Sequence, residues 1–194
     1  MPATLRAFIA AELPDEVRTA LGRVQADLAA AGVRARWVRP EGIHLTLKFL
    51  GQIPPEAAAR AAEGMAAAVA GQTGVDLAMG RLGVFPGPRR PRVVWAGLEG
   101  DIAALEGLHR RVERALGARG FPPEGRPFRA HLTLGRFGES GAPGPVAAAL
   151  AAAAVPNAGA FAIRELVLFK SDLRPEGAVY TPLARAALGP GAAA

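Results

Sequence analysis

The chain has 194 residues, about half of them apolar and few aromatic, and a formal net charge of +6; that length suffices for one ordinary domain, or two small lobes packed together, with a real core, and nothing in the composition suggests disorder. There is no cysteine, which excludes disulfides, thiolate nucleophiles and the common zinc frameworks. The opening MPATLRAFIAAEL is too short and, with Glu12, too polar for a signal peptide or a spanning helix, so a cytoplasmic protein that does not engage a membrane is expected.

All the basic residues except Lys48 and Lys170 are arginines. Two readings of that bias are open. The codon usage of a GC-rich genome produces it without function; phosphate recognition uses it, because guanidinium forks match phosphate oxygens and a net positive field attracts nucleic acid.

Taken in order, Leu5 to Ala11 reads as a short buried strand. Val17, Leu21, Val24 and Leu28 then form the apolar stripe of a helix that Pro14 and Asp15 open and Gly32 ends. The loop RWVRPEGI leads into a strand, His-Leu-Thr-Leu, at 44–47; prolines open an alanine-rich helix over 54–70; and a strand from Val75 to Phe85 pairs with Val93 to Leu98 to close the half. After the turn FPGPRRPR the order repeats with a period of 87 or 88 residues. The strand Val93 to Leu98 sets Trp95 where the first copy has Phe8, and Leu105, His109, Val112 and Leu116 make the second stripe, with Gly120 as its stop. PPEGRPFRA then leads into the second His-Leu-Thr-Leu at 131–134 and a helix follows over about 145–154. The last strand pair is Phe161 to Lys170 with Ala178 to Ala184, joined by SDLRPEG.

The predicted architecture is α+β: a single bilobal domain over 1–194, with pseudo-symmetric lobes at about 1–90 and 91–177 and a C-terminal strand, 178–184, completing one lobe sheet. Each lobe is an antiparallel sheet with helices on its outer face, and the two sheets form a central cleft.

Side chains alternate along a strand, so His44 and Thr46 share one face while Leu45 and Leu47 share the other. In a regular strand Lys48 continues the polar face and Phe49 joins the leucines. With His131 and Thr133 supplied by the second copy, the cleft holds two imidazoles and two hydroxyls. Phosphodiester hydrolysis can use this set: a neutral imidazole takes a proton from water, a protonated one gives a proton to the departing ribose oxygen, and the hydroxyls donate to the non-bridging phosphate oxygens. A lone His-x-Thr would mean little; two at one repeat position, using two of only three histidines, mean more. His109, on an apolar helix stripe without a threonine partner, reads as a packed or half-exposed imidazole. Neither His-x-Thr carries a neighbouring Asp, Glu, His or Cys on its polar face, so no metal is expected.

The segments WVRPEGIHLTLKFLG, GVFPGPRRPRVVWAGL, RPFRAHLTLGR and ELVLFKSDLRPEGAVYTPL resemble those of the RNA 2′,3′-cyclic phosphodiesterases, also called 2′-5′ RNA ligases, of the two-histidine (2H) phosphoesterase superfamily, over nearly the whole chain. The resemblance implies His44, Thr46, His131 and Thr133 as the catalytic set, with Arg136 at a position that contacts phosphate or ribose and Lys48 as a further substrate-binding candidate. It implies hydrolysis of a terminal 2′,3′-cyclic phosphate to a 2′-phosphate without a cofactor, and weak reversible joining of tRNA halves through a 2′-5′ linkage. The expected partners are RNA ends or nucleotides bearing the cyclic phosphate, with the protein acting as a monomer. His44 is assigned as proton donor and His131 as proton acceptor, although pseudo-symmetry leaves the roles interchangeable from sequence. Strict alternation would put Arg136 on the core face, and a bulge at Gly135 would turn it into the cleft. Two further functions stay open: a regulatory module that binds nucleotides in the same cleft, and a phosphodiesterase of small cyclic nucleotides. Arg89, Arg90 and Arg92 make either an RNA-backbone rail or a solvated hairpin tip. Phe8, Phe49, Trp37 and Tyr180 are candidates for stacking on a base, with core packing favoured for Phe8 and Phe49.

Overall fold

A computed structural model describes residues 3–138, 145–154, 158–175 and 177–190. Its strands are β1 (Leu5–Glu12), β2 (Arg36–Trp37), β3 (His44–Ile53), β4 (Val75–Phe85), β5 (Val93–Gly100), β6 (His131–Arg136), β7 (Phe161–Ile163), β8 (Glu165–Arg174) and β9 (Gly177–Ala187), and its helices α1 (Asp15–Ala30), α2 (Ala57–Val69), α3 (Ile102–Gly117) and α4 (Val146–Ala152). Glu176, in the SDLRPEG turn, lies outside the described residues.

The apolar stripes produce the two long helices. Val17, Leu21, Val24 and Leu28 are buried on α1, and Leu105, Val112 and Leu116 on α3. The Asp101 carboxylate caps α3 by accepting the Ala104 N–H at 2.9 Å. Beyond the two helices Gly32 and Gly120 take φ of 87° and 83°, a left-handed turn that glycine adopts without a Cβ clash.

The strands pair antiparallel in the order β7-β4-β5-β6-β3-β1-β8-β9, with β2 beside β6. At the centre β6 meets β3 through one register pair, Leu45 with Leu132, and these residues stand at the same position of the repeat. The pseudo-twofold axis therefore passes between them. The contiguous lobes expected at 1–90 and 91–177 do not match this sheet. β4 pairs with β5, as its turn leads one to expect, although β5 is the first strand of the second repeat, and β8 pairs with β1, the first strand of the first. The short connection from Phe85 to Val93 explains the exchange, because it returns the chain directly alongside β4. β9 extends β8 at the outer edge.

One face of β1, through Ala7, Ile9 and Ala11, joins a core that takes in the buried residues of all four helices. The other face carries Phe8 and Ala10 into a separate small cluster with Val167 and Phe169, against which Tyr180 packs. That second face is the one that holds the cleft.

Candidate active site

A cleft of about 1040 Å³ is lined by His44, Thr46, His131, Thr133 and Arg136 together with Arg6, Phe8, Phe49, Phe85 and Tyr180. The alternation of β3 and β6 puts each His-Thr pair on the cleft face, and Leu45, Leu47, Leu132 and Leu134 are buried opposite.

Both strands then break their alternation at the same repeat position. In β3, Thr46 pairs with Ala10 and Lys48 with Ile9, so Leu47 has no partner. In β6, Thr133 pairs with Trp95 and Gly135 with Val94, so Leu134 has none. Each is a β-bulge, which sends two successive residues to one face and restores alternation one step later. The bulge turns Arg136 into the cleft, as a bend near Gly135 was expected to do, but its extra residue is Leu134. Gly135 serves another need: a Cβ there would lie 3.0 Å from Trp37 Cε3 and 3.1 Å from the Ala35 Cβ, so its bare Cα admits β2.

The same irregularity overturns the expectation for Lys48. Sent to the core face behind Leu47, its side chain is 1% exposed, its ammonium donates to Glu113 Oε1 at 2.6 Å and to the Pro122 carbonyl at 2.9 Å, and it does not line the cleft. Phe49, expected among the leucines, takes the cleft face and is 48% exposed.

The two imidazoles are held alike. His44 Nδ1 lies 2.8 Å from the Gly42 carbonyl and His131 Nδ1 lies 2.7 Å from the Arg129 carbonyl, each two residues back. A carbonyl only accepts, so Nδ1 carries the hydrogen in both rings and Nε2 is left to take or give the working proton. Phe8 stacks on His44 with centroids 4.7 Å apart and Tyr180 meets it edge-on at 5.1 Å, whereas Phe85 meets His131 edge-on at 5.1 Å. Burial lowers the pKa of both histidines below the ordinary 6.5; the carbonyl contacts oppose this, and the Arg136 guanidinium lowers both further. Burial also raises the Tyr180 pKa, so its phenol keeps its proton.

Gln25 is a functional residue that the sequence reading missed. It sits buried on α1, and its Nε2 donates to the Val38 carbonyl at 2.7 Å and to the Leu134 carbonyl at 2.8 Å. The second of these carbonyls belongs to the bulged residue of β6, so Gln25 clamps the bend that aims Arg136. A polar residue four places after Leu21, inside an apolar stripe, was the available signal.

The other candidates separate clearly. Arg92 lines the cleft and donates to the Gly138 carbonyl at 3.0 Å, whereas Arg89 and Arg90 are exposed and do not line it. His109 is half-buried and stacks on Phe128 at 4.2 Å. Among the described residues one group of three potential metal donors comes together, His109, Glu113 and Glu124, and the Lys48 ammonium already holds Glu113 there. No described helix is long and apolar enough to cross a membrane.

The chain matches the family described as LigT like Phosphoesterase over residues 11–95 and 98–180. It is 31% identical over 179 residues to an RNA 2′,3′-cyclic phosphodiesterase of Methanothermobacter thermautotrophicus, covering 92% of this chain and 96% of that protein. A protein of the same name from Geobacillus stearothermophilus is 34% identical over 166 residues, covering 86% of this chain but 52% of its own length. Among solved structures, E. coli LigT complexed with 3′-AMP superposes with a TM-score of 0.73 at 29% identity, covering 96% of this chain and 99% of that one.

Proposed function

We propose that this chain, which belongs to the LigT-like phosphoesterase family, is an RNA 2′,3′-cyclic phosphodiesterase that opens a terminal cyclic phosphate to a 2′-phosphate. The observation that carries the reading is the matched pair of imidazoles, each with Nδ1 fixed on a backbone carbonyl and Nε2 free for proton transfer. Water attacks phosphorus and the P–O3′ bond breaks. His131 Nε2 takes the water proton and His44 Nε2 gives its proton to O3′, so the balance is one water consumed and one proton shifted between the rings, which solvent exchange resets. Thr46 and Thr133 donate to the non-bridging oxygens, and Arg136 offsets their growing charge. A phosphate anion between the rings also raises the imidazole pKa values that burial lowers, so the donor regains its proton as substrate binds.

Joining at a 2′-5′ linkage follows from the same chemistry when the 5′-hydroxyl of a second RNA attacks phosphorus in place of water and O3′ again leaves, with tRNA halves as one substrate. A monomer in the cytoplasm suffices for it.

The test is turnover of 2′,3′-cyclic nucleotides in excess EDTA, with the product identified by phosphorus NMR. A 2′-phosphate is expected, and loss of about 10²–10⁴-fold in kcat for His44→Ala or His131→Ala with the fold retained. A 3′-phosphate, or metal dependence, would overturn the mechanism. The roles separate with a substrate whose bridging O3′ is sulfur: a thiolate leaves without a proton, so His44→Ala is rescued and His131→Ala is not.

A further inference from the structure

We infer that the outer face of α3 carries a second anion site, one that takes a phosphate group away from the catalytic cleft. A cavity of about 320 Å³ opens between α3 and the turn that joins α2 to β4, and Arg110, Arg111 and Arg114 line it together with Gln72, Thr73 and Gly107. No acidic residue belongs to that lining, and it shares no residue with the cleft. The run Arg-Arg-Val-Glu-Arg at 110–114 holds one carboxylate, Glu113, which is turned away to pair with Lys48. Leu105, Val112 and Leu116 bury the opposite side of the helix, so the arginines face outward from the layer that covers the core.

Three features make this more than a solvated basic patch. Arg111 is held from behind: its Nε donates to the Ala68 carbonyl at 3.0 Å and its Nη2 to the Ala70 carbonyl at 3.5 Å, at the C-terminal end of α2. The guanidinium is thereby oriented before any ligand arrives, which reduces the freedom lost on binding. Arg110 and Arg114 stand one helical turn apart, where like charges repel. The nearest carboxylate, Glu106, lies 3.9 Å from Arg110 with both side chains more than half exposed, and Arg114 has no ion pair among the described residues. Gly107 is the third feature. Glycine in a helix interior is destabilising relative to alanine, yet packing does not require it here: the nearest atom to a Cβ built at this position is Arg110 Nη2, at 3.9 Å. A methyl would fit the protein and project into the cavity, so the glycine keeps the cavity open at the helix backbone.

Three guanidiniums with no carboxylate among them call for a multiply charged anion, and their forks match the oxygens of a phosphate group. Thr73 and Gln72 bring neutral donors to the same rim. The phosphate has two possible sources, the backbone of a bound RNA and a free oligophosphate. Helices cover one face of the sheet and the cleft occupies the other, so this site can be emptied without touching the histidines.

The experiment titrates inorganic pyrophosphate into the whole protein and follows backbone amide NMR signals, those of Thr73, Gly107 and Arg111 for the α3 site and those of Thr46 and Thr133 for the cleft. Saturable shifts are expected at the first set, with Kd raised at least about tenfold in the double variant Arg110→Gln with Arg114→Gln. Gly107→Ala should also raise that Kd while raising Tm, which separates loss of the site from loss of the fold. The double variant should keep kcat/KM on 2′,3′-cyclic AMP within about twofold of wild type, because it leaves the cleft intact. An RNA source raises KM about tenfold or more for a short RNA ending in a cyclic phosphate in that variant, whereas a free oligophosphate leaves both KM values unchanged and loses only the pyrophosphate binding. No saturable shift at the α3 amides of wild type, or the same Kd in the double variant, overturns the site. Turnover of 2′,3′-cyclic AMP by wild type judges the phosphodiesterase reading separately.

Discussion

Lys48 gives the sharpest test of how the His-Leu-Thr-Leu-Lys strand is built, because its neighbours in sequence line the cleft while its own ammonium lies beneath the sheet. Lys48→Met keeps the length of the stem and deletes the charge. The side chain is 1% exposed and its partner Glu113 is 18% exposed, so the variant strands a mostly buried carboxylate and removes the donor to the Pro122 carbonyl. Removing one member of a buried pair costs roughly 3–5 kcal/mol; with Glu113 able to reach some water, the lower end applies, about 3 kcal/mol. For a chain of this size that corresponds to a fall of about 6–12 °C in Tm. Adding Glu113→Leu removes the stranded charge and fills the space, so the double variant should recover to within about 1 kcal/mol of wild type. Thermal and urea unfolding of the four proteins in this cycle measure the coupling, and kcat on a 2′,3′-cyclic nucleotide should stay within about threefold throughout. A Lys48→Met protein with unchanged stability and a tenfold or greater loss in kcat would refute this placement and return Lys48 to the substrate.

The lowered histidine pKa values set the pH dependence. Burial lowers His44, His109 and His131 in the fold, so below pH 6.5 the unfolded chain binds more protons than the folded one; stability is complete above 6.5 and falls as pH drops through 6.5 toward the folded values, which Tm measured from pH 8 to 5 should follow. The profile of kcat/KM, which reports the free enzyme, should peak on the acid side of 6.5, with the alkaline limb of kcat displaced upward by the bound phosphate; a kcat/KM limb above about pH 7.5 would contradict the buried-imidazole account. Gln25→Met leaves the Val38 carbonyl without the amide donor and frees the Leu134 bulge; a loss of about 1–3 kcal/mol is expected in urea unfolding, together with a rise in KM from the displaced Arg136. Gly135→Ala pushes a methyl against Trp37 and Ala35 and should cost about 1–3 kcal/mol by the same assay.

The repeat was legible because its signals are local: helix stripes, glycine stops and the two His-x-Thr pairs follow from periods of 3.6 and 2 within a few residues. The expected helix over 54–70 begins at Ala57 and ends at Val69, and the strand expected over 75–85 has those bounds. Partner choice was harder to read. The pairing of β4 with β5 could be read from the short turn between them, but that β8 lies on β1 is a non-local pairing that no single segment displays. The bulges were likewise hidden. Leu47 and Leu134 look like ordinary core leucines, and only the register of the neighbouring strand shows that each lacks a partner. One such slip reverses the face of everything after it, which is why Lys48 and Phe49 exchanged places relative to a regular strand while Arg136 came forward.

Duplication supplies two equivalent histidines, but an in-line displacement needs them unequal, one giving a proton and one taking it. The inequality is absent from the Nδ1 contacts, which match to within 0.1 Å. It enters two residues past each bulge, where the halves present phenylalanine on one side and arginine on the other, and at the clamp on α1, where Gln25 has Glu113 as its counterpart on α3. Gln25 grips the bulge that aims the arginine, whereas the bulge in β3 lies next to a buried ion pair that ties β3 to α3. The symmetric fold therefore places the rings, and in the proposed mechanism the residues that break the symmetry distinguish the proton donor from the acceptor. Exchanging the pair, as Phe49→Arg with Arg136→Phe, should then lower kcat more than either histidine's environment alone would predict, because it moves the anion toward His44 while leaving both Nδ1 contacts in place. Retained turnover in that double variant, measured on 2′,3′-cyclic AMP, would show that the order of proton transfer is set elsewhere.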